Sequence, residues 1–340
     1  RPPSGASPEP RGRRDDALSV YAEALTNDDP DPRALAAGRR MRRRGPAPVL
    51  PTVQQIAADA LAFAAMETSQ VDIHELSAIY LQFASALHPD DTLTLRLAES
   101  LDQAHQDDAA RAAFARVSPS NPIVYAGAQL GLGVSLVGED RHEEALDAFV
   151  RADGAAPDQV VVSLLLARQY FNLERYEEAL DVLNRPTVNT ADQSAEVRFE
   201  RGRTLEQLGR IEEAEAELWA ALQMAPDNPV LLNHLGYLWV DSGRRVEQGA
   251  EMIARAFAAD PRNANIQDSL GWAQYRRGHY ESAVETLEEA VAKQPANAEI
   301  NDHLGDAYWQ VGRHREAGWQ WNRVLTLEPE PERRAEVEQK

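Results

Sequence analysis

Cysteine is absent from the 340 residues. That removes disulfides, thiol catalysis and cysteine-based zinc sites, but leaves the compartment open. No apolar run reaches the roughly 18–20 residues that a membrane-spanning helix needs. Neither His-Glu-x-x-His nor a serine in a Gly-x-Ser-x-Gly turn occurs. The nearest approach to a phosphate loop is LGLGVSLVG (Leu130 to Gly138). It follows no strand pattern, and its Gly133 falls where a helix needs a small residue, so it is read as packing. Cationic excess is missing too. A formal charge of −20 argues against nucleic acid or an anionic membrane surface as the main partner, because phosphate binding needs clustered cations.

The charge is unevenly spread. Residues 1–50 hold ten arginines against seven acids, a net +3, which leaves −23 for the remainder. The run RRMRRR (Arg39 to Arg44) lies between proline-containing stretches. It is read as a solvated linker or a contact to the acidic body of the chain, with a nucleic-acid or lipid patch as the other reading. The opening RPPSGASPEPRGRR has neither Met nor an apolar signal core, which leads to the expectation that the full reading frame begins earlier.

What the sequence does contain is a period. Glycine and proline, 19 and 20 in all, fall at regular intervals rather than in blocks. Repeat starts at Ala58, Asp91, Ala126, Val160, Ala195, Pro229, Ala264 and Ala298 are 33–35 residues apart, the spacing of paired-helix repeats. The eighth residue is small in every copy: Ala65, Ala98, Gly133, Ala167, Gly202, Gly236, Gly271 and Gly305. The twentieth is small as well: Ser77, Ala110, Ala145, Ala179, Ala214, Ala283 and Ala317. Small residues where two helices cross permit interaxial distances of about 8–10 Å. Position 24 supplies a bulky knob: Leu81, Phe114, Phe149, Leu183, Leu218, Leu287 and Trp321. Prolines at 89, 122, 157, 226, 295 and 329 end the second helices. Asn228, Asn263 and Asn297 are expected N-caps. In the sixth copy an extra residue near SGRRVEQGA is expected to shift the second small position to Ala250.

The period predicts an all-α solenoid of about eight helix-turn-helix repeats over residues 53–329. An N-terminal segment (residues 1–52) precedes it, carrying one second-helix pattern (Ala17, Tyr21, Ala24) and the basic linker. Residues 330–340 read as a C-terminal tail.

The offsets resemble the tetratricopeptide repeat (TPR) family. The endings LNHLGYLWVDSG (Leu232 to Gly243), IQDSLGWAQYRRG (Ile266 to Gly278) and INDHLGDAYWQVGRHREAGWQWNRVL (Ile300 to Leu325) resemble a narrower group of bacterial TPR proteins. That resemblance implies a scaffold rather than an enzyme. It also implies a bacterial periplasmic or outer-membrane-associated location, with the cytoplasm as the alternative. Membrane anchoring through a segment upstream of this sequence is part of the same expectation.

No cofactor or catalytic residue is expected. The best metal candidate, Asp302, His303 and Asp306 with His234, is read as a polar helix face rather than a site, because spacing alone does not gather ligands around one ion. Positions 2, 5, 6, 9, 12 and 13 of each first helix point away from the second helix and line the groove of a TPR solenoid. In the last three repeats they give Asn233, His234 and Tyr237, then Asn265, Asp268, Trp272, Tyr275 and Arg276, then Asp302, His303, Asp306 and Trp309. Aromatic bodies among acids suit a neutral-to-basic peptide or protein segment with apolar anchors. The alternative reading makes this chain a regulatory or targeting part of a larger enzyme.

Overall fold

The computed structural model describes residues 51–340 except 158, 187, 189–193 and 328–330. The expected N-terminal helix, the basic linker and Pro329 therefore lie outside the described residues. The described residues form seventeen α-helices and no strand. They divide into two compact units, one up to Val124 and one from Tyr125 onward.

The first unit contains α1 (Val53–Ser69), α2 (His74–Leu87), α3 (Asp91–Gln103) and α4 (Asp107–Phe114). These are two antiparallel pairs, α1 with α2 and α3 with α4, joined through α2 and α3. Thr52 begins α1 with a capping box, its hydroxyl accepting from the Gln55 N–H while Gln55 accepts from the Thr52 N–H. That satisfies two helix-start N–H groups reciprocally. Ser77, standing where most other copies have alanine, is buried and hydrogen-bonds Ser100 at 3.0 Å.

The second unit continues the pattern. Its pairs are α5 (Pro122–Val137) with α6 (His142–Ala155), α7 (Val160–Asn172) with α8 (Tyr176–Leu183), and α9 (Ala195–Gln207) with α10 (Ile211–Met224). Next come α11 (Pro229–Asp241) with α12 (Val246–Ala259), α13 (Ala264–Arg276) with α14 (Tyr280–Lys293), and α15 (Ala298–Gln310) with α16 (His314–Thr326). Each second helix from α6 to α14 packs on the first helix of the following repeat. The first helices α7 and α9, then α11, α13 and α15, also touch one another in turn. First helices thus share one face of this unit.

Six of the eight expected repeat starts are the first residues of helices. The first and third copies begin earlier, at Val53 and Pro122, because α1 and α5 are the longest first helices. The packing rule is visible in atoms. A Cβ added to Gly133 would lie 2.5 Å from Phe149, and one on Gly271 2.5 Å from Leu287. At Gly305 it would meet Trp321 at 2.5 Å, and at Gly202 it would meet Leu218 at 2.7 Å. Glycine at position 8 thus makes the space that the position-24 knob fills. In the sixth copy the crossing residue is Gly249, not Ala250. Gly236 and Gly249 approach backbone to backbone, and Ile253 takes the knob position. One inserted residue moves the register by one, which explains the difference.

The turn inside each repeat carries its own signature. Asp72, His105, Asp140, Glu174, Gly209, Gly243, Gly278 and Gly312 all have positive φ, at the same spacing as the repeats. Four copies place glycine in this left-handed position and four accept a side chain there, which costs roughly 1 kcal/mol or more each. The expected caps form: Asn228, Asn263 and Asn297 each accept two backbone N–H groups of the helix they begin.

The segment expected as a tail is partly helical. Residues Pro331–Val337 form a short helix, α17, that packs against α16 and buries Val337.

Candidate functional site

The twelve residues singled out by position lie on α11, α13 and α15. Their environments differ sharply. Asp268, Asp302 and His303 are buried, whereas Trp309 is 47% exposed. His234 meets the preceding repeat, its Nε2 2.7 Å from Glu206 and its ring edge-on to Phe199. Asn233 has a buried amide oxygen without a partner among the described residues. Asn265 accepts from the Asn297 amide at 3.3 Å.

The centre of the face is a stack. Trp272 lies parallel to Tyr275 (4.8 Å between ring centres, 7°) and to His303 (4.2 Å, 14°). Its indole N–H donates to Asp241 at 3.1 Å, and Arg276 donates to the same carboxylate at 3.2 Å and to the Asp241 carbonyl at 2.7 Å. Beneath, His303 Nδ1 is 3.0 Å from both oxygens of Asp268. Burial works against the imidazolium here. The attraction of Asp268, its hydrogen bond, and the charges of Glu299 and Asp302 outweigh that burial and hold the His303 pKa above its ordinary value.

Acids ring the stack. Tyr237 donates to Glu299 at 3.2 Å, two repeats along. Burial first, then the charges of Glu299, Asp241 and Asp268, push its hydroxyl well above the ordinary phenol value. Asp306 accepts from the Trp321 indole at 3.2 Å. Burial raises its pKa, and the Lys340 ammonium only partly offsets this. Trp309 stands apart from the stack, against His314 (4.2 Å) and Trp321 (5.6 Å).

Position within the repeat picked out these side chains, but it did not reveal their pairing. Asp268 and His303 are 35 residues apart, one repeat on, so a carboxylate at position 5 meets an imidazole at position 6 of the next copy. That offset was available in the sequence. Arg333 and Lys340, which also reach this face, gave no periodic signal.

Models of the tetratricopeptide repeat family match residues 136–198, 195–228 and 269–330, which include the Gly202, Gly271 and Gly305 crossings and the rings of the Trp272 stack. The chain carries tetratricopeptide repeats. It is 29% identical over 191 residues to a curated TPR repeat-containing protein of Pseudomonas aeruginosa. That match covers 55% of this chain and 31% of the relative's length. Among solved structures, the TPR chain is similar to one from the APC/C hetero-tetramer Cut9–Hcn1, with a TM-score of 0.59 and 14% identity. That similarity covers 96% of this chain and 62% of the other. A tetratricopeptide repeat protein from Parabacteroides merdae also gives 0.59, at 13% identity, over 74% of this chain and 98% of its own. These likenesses show the fold. TPR repeats in general serve protein–protein interaction.

Proposed function

We propose that the TPR chain is a non-catalytic scaffold that holds a protein segment in the groove formed by its last three repeats. The observation carrying this reading is the acidic-aromatic face of α11, α13 and α15. There the Trp272 stack is bordered by Asp241, Glu299, Asp302 and Asp306, and Trp309 remains exposed. An acidic field steers a neutral-to-basic segment, and aromatic side chains anchor it. With the full-length protein as bait, a captured partner should bind Trp309→Ala or Trp272→Ala about thirtyfold more weakly, the loss of one hot spot of roughly 2 kcal/mol. Helicity by circular dichroism should be unchanged. Unaltered binding by both variants would remove the groove from the account.

The compartment belongs to the same proposal. The similarity of the last repeats to bacterial TPR proteins supports a role in an envelope complex, at the periplasmic side or the outer membrane. Fractionating cells that express the full-length protein tests it, and recovery solely in the cytosol would refute it.

A further inference from the structure

The acidic face is already covered by part of its own chain. From α17, Arg333 reaches Glu299 (Nη2–Oε1 3.5 Å) and Asp302 (Nη1–Oδ2 3.4 Å). Lys340 lies 2.6 Å from Asp302 Oδ1 and 2.7 Å from Asp306 Oδ1. Its ammonium also sits 5.7 Å from the centre of the Trp321 ring. Three carboxylates of α15 are thus paired with two cations from outside the eight helix pairs. Where the strap covers it, Asp302 keeps only 7% of its side chain exposed.

The way the segment is held differs from the way the repeats hold one another. Neighbouring repeats pack the second helix of one along the first helix of the next, within shared apolar clusters. The described side chains of α17 contribute one buried apolar group, Val337, together with ion pairs. At seven residues the helix is too short to persist undocked. The two cations remain about a quarter to a third exposed, so salt screens part of their attraction to the carboxylates. A contact of that kind closes by proximity, because the tether supplies an effective concentration on the order of millimolar. It opens when something offers the same groups.

We propose that residues 333–340 form a strap occupying the acidic face of the last two repeats in cis. The partner engages that face by displacing the strap with its own segment, an apolar side chain set between two cations. This rests on the groove reading above. The strap serves as both a template for the partner's chemistry and a threshold for its binding. A segment lacking either cation leaves Asp302 or Asp306 covered but unpaired, which is worse than leaving the strap in place.

Lys340 is one of two lysines in the chain, Lys293 being the other, which makes the strap addressable. Carbodiimide coupling of the parent, followed by mass spectrometry, is expected to join Lys340 to Asp302 or Asp306. A dye-labelled synthetic peptide copying residues 331–340 then serves as the competitor, followed by fluorescence anisotropy. The strap-released chain Arg333→Gln/Lys340→Gln should bind it at least about tenfold more tightly than the parent, in line with relief from a tethered competitor. The coupled parent should not bind it. Adding Asp302→Asn and Asp306→Asn to the released chain should abolish binding. If the double variant loses helicity, Lys340→Met alone takes its place with the same expectations. Equal affinity in parent and released chain would overturn the strap, as would no binding to the released chain at millimolar peptide. If the strap fails while Trp309→Ala still weakens a captured partner, the groove stands without it. If the peptide binds the released chain while Trp309→Ala changes nothing, the strap stands and the Trp309 anchor falls.

Discussion

Gly271 is a residue whose missing atom decides a helix crossing. A Cβ there would lie 2.5 Å from Leu287, which is fully buried and cannot swing away. Gly271→Leu is therefore expected to lower stability by about 1–3 kcal/mol or more, read as a shift in the denaturant midpoint. An unshifted midpoint would mean that α13 and α14 do not cross there. Such positions were legible in the sequence because sterics repeat in phase, glycine or alanine at position 8 against a bulky residue at position 24. The His303–Asp268 pair was legible only as an offset of one repeat, because the contact itself depends on how one repeat is set against the next. It has a measurable consequence. His303 has a raised folded pKa, so its contribution to stability is fully present below the unfolded imidazole value of about 6.5 and fades as pH rises through the folded value. The denaturant midpoint should fall over that rise, and His303→Gln should flatten the dependence. A midpoint equally pH-dependent in both chains would contradict the pairing.

Among the elements, the helix starts show which signals carry across scales. Asn228, Asn263 and Asn297 were recognisable as caps because each precedes an apolar-periodic run, and each accepts the N–H groups that begin its helix. Replacing Asn263 with alanine is expected to cost about 1 kcal/mol, within the usual 0.5–2, in thermal or chemical unfolding. Second helices start differently. Arg175, Arg245 and Arg313 precede α8, α12 and α16 and lie over the position-11 rings of Tyr170, Trp239 and Tyr308 at 4.1–4.7 Å. Losing the ring at Tyr308 should therefore be felt beyond its own helix. Its hydroxyl donates to Glu288 of α14 at 2.7 Å, and Arg313 donates to the same carboxylate at 2.9 Å. The expectation for Tyr308→Ala is a loss of about 3 kcal/mol, in the range for large-to-small core changes; a loss below 1 kcal/mol would count against this three-way contact. The element hardest to read was α17. It is short, follows no repeat, and docks through two basic residues whose acidic counterparts lie some 30–40 residues upstream.

For the molecule as a whole, a net charge of −20 and a first-helix face rich in carboxylates point the same way, toward a partner segment that brings cations and an apolar anchor. The fold was legible in its period, in most of its crossings and in three of its caps, because the steric rules behind them recur along the chain. The proposed binding face was legible only as a set of positions. Which of its side chains are free depends on stacking and on the strap, neither of which has a period. Two exposed tryptophans offer the most direct check. Trp309 lies on first helix α15 and is 47% exposed, while Trp319 lies on second helix α16 and is 61% exposed. The affinity of a captured partner should be measured for Trp309→Ala and Trp319→Ala beside the parent, at one fixed salt concentration. The account predicts a loss of about thirtyfold for Trp309→Ala and less than about threefold for Trp319→Ala. Equal losses, or the larger loss at Trp319, would place the partner on another surface and contradict it.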